Sequence, residues 1–189
     1  MEEKSSVLAE VCRVLSVSGS NAAAQILCRE YPFHPSTAKS RNYGPCESIK
    51  IFVRDGFVDR YAGHRLIFPP VLRLLSLMMP DEFPYQLLWK TEVTHPAYYE
   101  LSATIDHLVP VSRGGSNEES NLVTTSMIKN SAKGNCTLEE LGWTVHPKGN
   151  IGEWDGLLSW FVDFTETHPD LCEKSWIKSW FRAAKSFSS

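Results

Sequence analysis

The sequence predicts an α+β fold that is mostly helical outside one small strand-loop-strand-helix unit. Apolar residues recur at helical spacing near the N-terminus and again in the C-terminal segment, which favours amphipathic helices. Two short runs rich in β-branched and apolar residues, SATIDHLVPV and LVTT, flank a glycine-containing polar loop and predict the strands. With 189 residues, 42% of them apolar, the chain can bury one sizeable core. We therefore expect one compact domain with extensions.

The N-terminal element is predicted to be a helical hairpin. The run VLAEVCRVL spaces Val7, Val11 and Leu15 along one helix face, and a second helix is expected from Ala22 to Arg29 after the SVSGS turn. A DNA-reading helix-turn-helix is an alternative, although two helices joined by a Gly/Ser turn more often simply pack together. The run YPFHPSTAKSRNYGP is typical of a loop and separates a helical extension, residues 1–38, from the main body.

The middle of the chain, residues 39–142, is expected to form the functional core. The run IKIFVRDGFVDRYAGHRLIFP indicates a short hairpin-like element, and PPVLRLLSLMM indicates a helix opened by proline. The following run, PDEFPYQLLWKTEVTHPAYYE, is irregular and aromatic, so we expect it to wrap the core. The strand-loop-strand-helix unit itself occupies residues 103–135.

The C-terminal segment, residues 143–189, is predicted to be helical and to supply aromatic packing. Just before it, Thr137 and Glu140 form a capping-box signature for a brief helix. Two further helices are expected in GLLSWFVDF and SWIKSWFRAA. Their aromatic stripes, which include Trp160 and Phe161, are expected to be core residues.

Composition excludes several protein classes. The five cysteines are scattered, and none forms a C-x-x-C pair, which suits neither a disulfide framework nor a cysteine-rich zinc site. No apolar run approaches the ~20 residues that a membrane span requires. The start MEEKSSVLAEV is too acidic for a signal peptide. We therefore expect a cytoplasmic protein with no membrane partner.

Charge is unevenly distributed, although the net charge is only −3. Residues 39–73 are locally basic, with seven Lys and Arg against three acids, whereas residues 137–189 are acidic. A polyanion would therefore bind one face of the molecule. A solvated charged surface explains the same pattern and stays open as an alternative.

The segment Ile105 to Asn135 contains an Asp-His pair, two adjacent glycines and two well-spaced asparagines. The pattern I-D-H-x-x-P-x-S-R-G-G-S-x-x-x-S-N-L-V followed by K-N-x-x-K-G resembles the HNH endonucleases. The spacing from His107 to Asn121 and from Asn121 to Asn130 is similar to the order of that family, in its variant with asparagine at the third position. The resemblance covers about thirty residues and implies a ββα-metal finger, also called a His-Me finger, with flanking helices.

The residues that carry the resemblance suit phosphodiester hydrolysis. A near-neutral imidazole is a suitable general base for water, which makes His107 the candidate catalytic residue. Asp106 and Asn130 supply a carboxylate and an amide oxygen, which are hard ligands for one Mg²⁺ or Mn²⁺ ion. The resemblance implies that Asn121 holds the loop and orients the histidine. Because neighbouring strand residues point to opposite faces, the strand must end or bulge at Asp106 and His107, and we expect a bulge.

Four basic residues are candidate contacts for nucleic acid. Arg113 and Lys133 lie in the finger, and Arg60 and Arg65 lie in the basic segment. Each is equally well explained as a surface charge.

The sequence departs from the family at the zinc knuckle that many members carry. RDGFVDRYAG stands in place of R-D-G-x-x-C-x-x-C-G, so that Asp59 and Ala62 replace the first cysteine pair. Ser126 and Lys129 stand where the second pair would be. We therefore expect no structural zinc, and expect aromatic packing to brace the finger instead.

The sequence as a whole predicts a metal-dependent HNH endonuclease, a hydrolase that nicks or cuts DNA, most naturally double-stranded, in restriction or defence. A homodimer stays open, since double-strand cleavage by a single finger would usually require one. The alternative function is a nucleic-acid-binding subunit that keeps the HNH scaffold but cleaves little. The intact set of His107, Asp106 and Asn130 argues against that alternative, because binding alone does not need all three.

Overall fold

The computed structural model describes residues 4–32, 43–88 and 90–187, and it confirms the predicted α+β class. Helices dominate, and the two strands form one small antiparallel sheet. In the described residues, the helices and strands in chain order are α1 Lys4–Ser18, α2 Ser20–Glu30, α3 Pro45–Arg54, α4 Pro69–Met78, α5 Ala97–Glu100, β1 Ala103–His107, β2 Leu122–Ser126, α6 Met127–Lys133, α7 Leu138–Leu141, α8 Leu158–Thr167 and α9 Ser175–Lys185. None of these helices is long and apolar enough to cross a membrane.

Residues 1–38 form one compact unit, and residues 39–189 form a second. In the first unit α1 packs against α2, and the buried residues of the two helices are Val7 and Ala23. The turn between them is a single residue, Gly19, whose φ of 81° favours glycine. The loop predicted over residues 31–45 lies mostly outside the described part of the chain.

The hairpin predicted for residues 49–69 is wrong in its first half, because IKIFVR belongs to helix α3. Pro45 opens this helix, and the backbone N–H of Gly44 donates to Glu47 Oε2 at 2.9 Å. Ile49 and Phe52 lie on its buried face. This apolar run is too short for its periodicity alone to distinguish a strand from a helix. The local signals that favour the helix are Pro45 and Glu47 in its first turn. The hairpin-like pairing that remains is an isolated bridge between Val58 and Arg65.

The finger has the predicted order of strand, loop, strand and helix. β1 and β2 pair without interruption, with Asp106 opposite Val123 and His107 opposite Leu122. The expected bulge is therefore absent, and β1 instead ends at His107. Ser126 caps α6, since its Oγ accepts from the backbone N–H of Lys129.

The core lies between the sheet and the helices that surround it. It is built on aromatic side chains that meet at an angle, with Phe68 in edge contact with Phe57 and Phe161. Phe161 is fully buried, as predicted, whereas Trp160 is 38% exposed and stacks on Phe164 at the surface. The prediction that Trp160 is a core residue is therefore wrong, because its helix face points away from the core.

Two fully buried carboxylates bind the outer edge of β2, the edge that β1 does not pair with. Asp55 accepts from the backbone N–H of Thr124 at 2.8 Å, and Asp59 accepts from that of Ser126 at 2.9 Å. Alternate residues of a strand present their N–H groups on the same side. The two carboxylates, four positions apart in the chain, therefore satisfy two of the N–H groups along that edge.

Each carboxylate also binds the segment that carries it. Asp59 Oδ1 accepts from the backbone N–H groups of Tyr61 and Ala62 at 2.8 and 3.2 Å and from Thr125 Oγ1 at 3.0 Å. Asp55 forms ion pairs with Arg54 and Arg60 at 2.9 and 3.0 Å. The loop between α3 and α4 is thereby fixed against β2.

We predict that Asp59→Ala lowers the free energy of unfolding by roughly 3 kcal/mol or more, because it leaves several buried N–H and O–H donors without an acceptor. Urea denaturation followed by circular dichroism measures the loss. Asp163→Ala is the matched control, since Asp163 is exposed on α8. Equal stability of the two variants would contradict the role given to Asp59.

A second prediction compares two neighbours in α8. Phe161→Ala should cost roughly 3–5 kcal/mol, as expected for a fully buried aromatic side chain, and Trp160→Ala less than half as much. Equilibrium unfolding of both variants tests this difference. A larger loss for Trp160 would show that the core is misplaced.

Candidate active site

Asp106, His107 and Asn130 line one open pocket of about 420 Å³. The pocket runs along β1, whose five residues all line it, and Asn130 reaches it from α6, which follows β2 directly. Tyr43 and Trp180 lie on other parts of the same wall. The structure thus brings together the three residues predicted to carry the chemistry.

His107 is held by its Nε2 atom. The ring is only 5% exposed, and Nε2 lies 2.9 Å from Asn117 Oδ1 and 3.2 Å from the hydroxyl of Tyr43. Because an amide oxygen only accepts hydrogen bonds, this contact assigns the proton of the neutral ring to Nε2. Nδ1 is then the basic nitrogen, and it has no hydrogen-bond partner among the described residues.

Asp106 is oriented by two donors at the same oxygen. Its Oδ2 accepts from the hydroxyl of Tyr61 at 2.8 Å and lies 3.0 Å from Lys133 Nζ. Burial raises the pKa of Tyr61 far above its usual range, and the charge of Asp106 raises it further. Tyr61 therefore stays protonated and acts as a donor, which leaves Oδ1 of Asp106 without a protein partner in the described chain.

Asn130 is fixed through its amide nitrogen. Nδ2 donates to Thr104 Oγ1 at 3.1 Å and to the carbonyl of Ile105 at 3.2 Å. These contacts fix α6 against β1 and leave the amide oxygen without a hydrogen-bond partner among the residues that the structure describes.

Asn121 holds the loop that connects the two strands. Its Oδ1 accepts from the backbone N–H of Val109 at 2.9 Å, and its Nδ2 donates to the carbonyls of Val109 and Ser116 at 3.0 and 2.8 Å. One side chain thus joins the beginning and the end of the loop. Because Asn117 directly follows Ser116, Asn121 also places the amide that binds His107.

The four basic residues predicted to contact nucleic acid lie in two different environments. Lys133 is 1% exposed and donates to the carbonyl of His107 at 2.7 Å, and Arg60 donates to the carbonyl of His146 besides pairing with Asp55. Arg113 is exposed and pairs with Glu140 at 2.8 Å. Arg65 is exposed, with its guanidinium 5.3 Å from the centre of the Trp154 ring. Of the four, only Arg113 and Arg65 are exposed to solvent.

The donor set fits a hard divalent cation. Asp106 Oδ1 and Asn130 Oδ1 are uncommitted oxygens on the wall of one pocket, and Mg²⁺ and Mn²⁺ prefer such ligands. Two protein ligands would leave most of an octahedral shell to water and phosphate. No group of three or more His, Cys, Asp or Glu side chains suited to a metal occurs in the described residues.

The four knuckle positions come together without thiols. Asp59 bonds to the backbone of Ala62 and Ser126, which joins the two halves of the knuckle. At the fourth position, Lys129 Nζ lies 4.8 Å from the ring centre of Trp143, and this ring packs on Tyr61. Hydrogen bonds to a buried carboxylate and one aromatic stack therefore join the segments that zinc would bridge.

Sequence reasoning missed three residues of the site: Tyr43, Tyr61 and Asn117. Tyr43 lies in a loop-like run far from the motif, and its contact with His107 depends on the fold. Tyr61 lies inside the knuckle-like run, between Asp59 and Ala62, the two positions that were compared with cysteines. Asn117 lies inside the motif, ten residues after His107, and its amide was a usable signal.

In a comparison with known protein families, residues 97–138 match the family model described as HNH endonuclease. The matched range contains β1, the loop, β2 and α6, and therefore every residue that was predicted to act in catalysis or to hold metal. No curated protein and no solved structure matches the chain.

We predict that the folded protein contains no stoichiometric zinc and that EDTA leaves its melting temperature nearly unchanged, because hydrogen bonds and packing join the knuckle positions. Elemental analysis and thermal unfolding with and without EDTA test this. One tightly held zinc per chain, or a large fall in melting temperature, would contradict it.

Proposed function

Because residues 97–138 match the HNH endonuclease family model, which supports a nuclease-type activity, we propose that the protein is a divalent-metal-dependent endonuclease that hydrolyses phosphodiester bonds in DNA. The observation that carries the proposal is the shared pocket of Asp106, His107 and Asn130. A general base and two hard oxygen ligands that line one pocket are the groups that this reaction needs.

His107 is the proposed general base. Its Nδ1 takes a proton from a water molecule, whose oxygen forms a bond to the scissile phosphorus while the bond to the leaving 3′ oxygen breaks. Asn117 Oδ1 accepts from Nε2–H throughout, so the ring keeps the tautomer that the step requires. The same oxygen stabilises the imidazolium that forms. Asn121 acts through the loop as a positioning residue.

Asp106 Oδ1 and Asn130 Oδ1 are the proposed ligands of one Mg²⁺ or Mn²⁺ ion, which when bound stabilises negative charge on the phosphate and on the leaving oxygen. Tyr61 and Lys133 keep the carboxylate of Asp106 in place by binding its other oxygen. Thr104 Oγ1 keeps the amide of Asn130 in place by accepting from its Nδ2. Both ligands are therefore oriented before any substrate arrives.

Duplex DNA is the proposed substrate, with Arg65 and Arg113 as contacts to backbone phosphates. Both guanidinium groups reach solvent, whereas Arg60 and Lys133 are committed to carboxylates and carbonyls of the protein. We assign the latter two a structural part. Nicking needs one copy of the site, and cleavage of both strands would need two.

The central prediction is that His107→Ala lowers the rate of plasmid cleavage by at least ~10², as expected for loss of a general base. Supercoiled plasmid incubated with Mg²⁺, Mn²⁺ or EDTA gives the readout, in which relaxed circles report nicking and linear DNA reports double-strand cleavage. His168→Ala is the control, because His168 is exposed and lies outside the pocket. DNA binding without cleavage by the wild type would favour the alternative of a binding subunit.

Changes to the ligands should alter the metal dependence. We expect Asp106→Asn and Asn130→Ala to raise the Mn²⁺ concentration needed for half-maximal cleavage, with part of the lost rate returning at high Mn²⁺. Asparagine is chosen at position 106 because it can still accept from Tyr61 and Lys133. A lower rate at every Mn²⁺ concentration, with an unchanged midpoint, would mean that these residues are not ligands.

A further inference from the structure

A second pocket, of about 310 Å³, lies between the C-terminal half of α4 and the beginning of α9. Two cations, Arg73 and Lys174, line it together with the aromatic rings of Tyr85 and Trp176. None of the described residues on its wall is acidic. The pocket therefore combines positive charge with planar apolar surface.

Arg73 lies close to two aromatic rings. Its guanidinium carbon lies 3.7 Å from the ring centre of Tyr85 and 5.2 Å from that of Trp176. The half-buried guanidinium has no hydrogen bond or ion pair with any described residue. Because no described residue accepts from them, its N–H donors stay available to an oxyanion.

The same two helices, α4 and α9, line this pocket and the pocket of the candidate active site. Pro69 of α4 and Trp180 of α9 line the pocket of His107, while Arg73 and Trp176 line the second pocket. On each helix the two residues are four positions apart, which places them on the same face about 6 Å apart along the axis. The helices run past each other in opposite directions, since Phe68 contacts Trp180 and Arg73 contacts Trp176.

We infer that the pocket of Arg73 and Lys174 binds a backbone phosphate of the same DNA strand that is cleaved at His107. The inference rests on the proposed function and extends it to a site outside residues 97–138. The lining residues of the two pockets are one helical turn apart on α4 and on α9, and successive phosphates of one strand are about 3.4 Å apart along the duplex axis. A strand that runs along these helices would therefore place phosphates of one backbone in both pockets. This contact fixes the register of the strand in the active site.

The test is the salt dependence of DNA affinity, measured by fluorescence anisotropy on a labelled duplex with EDTA present, so that binding is observed without metal-dependent cleavage. Each phosphate contact that is lost should reduce the slope of log K against log salt by about one, so we expect that change for Arg73→Gln and again for Lys174→Gln. Lys174 has no ring contact among the described residues, so its variant tests the inference even if Arg73→Gln unfolds.

Arg182→Gln is the matched control, because Arg182 is an exposed cation of α9 on the helix face opposite Trp176 and Trp180, and its slope should equal that of the wild type. If both pocket variants keep the wild-type slope while the wild type still binds and cuts DNA, the inference fails and the proposed function stands. A wild-type protein that neither binds nor cuts overturns both.

A third arm separates a backbone phosphate from a free nucleotide. Thymidine monophosphate is titrated into the wild type and into Arg73→Gln, and its binding is measured by calorimetry. Binding that depends on Arg73, together with an unchanged DNA slope, would make this a nucleotide site and overturn the inference.

Discussion

The arrangement of the finger depends on how the outer edge of β2 is satisfied. A two-stranded sheet leaves one edge of each strand unpaired, and a hairpin of this size is marginally stable alone. Here the carboxylates of Asp55 and Asp59 take the place of a third strand, while Arg54 and the backbone N–H of Arg60 donate to the carbonyls of Leu122 and Thr124. The end of α3 and the loop that follows it thus supply both acceptors and donors to β2.

This attachment also determines the position of the candidate active site. β2 carries β1 on its inner edge and leads directly into α6, so holding β2 also holds Asp106, His107 and Asn130. The same segment contributes Tyr61, which binds Asp106 directly. The buried carboxylates and the candidate active site are therefore one connected set of hydrogen bonds, in which structural and chemical parts share residues.

The sequence predicted the finger well because its signals are local. Strand propensity, the glycine loop and the stop at Gly134 act over a few residues each, and they predicted β1, β2 and α6 in order. It failed at residues 45–54 because a short apolar run fits a strand as well as a helix. It missed the contacts of Tyr43 and Tyr61 with the site because these contacts depend on how distant segments pack. The sequence showed that the knuckle positions lack cysteines, but it did not show that hydrogen bonds of Asp59 connect these positions instead.

Gly115 shows how closely the loop between the strands is constrained. A Cβ atom at this position would lie 1.8 Å from the carbonyl oxygen of Val109 and 2.9 Å from Asn121 Nδ2, so space and not backbone conformation restricts it to glycine. Any larger side chain would separate the two limbs that Asn121 joins and would move Asn117 away from His107. In a map of mutational tolerance, this position would therefore score like a catalytic residue although it contributes no reactive group. Intolerance there would report the geometry of the loop and not its chemistry.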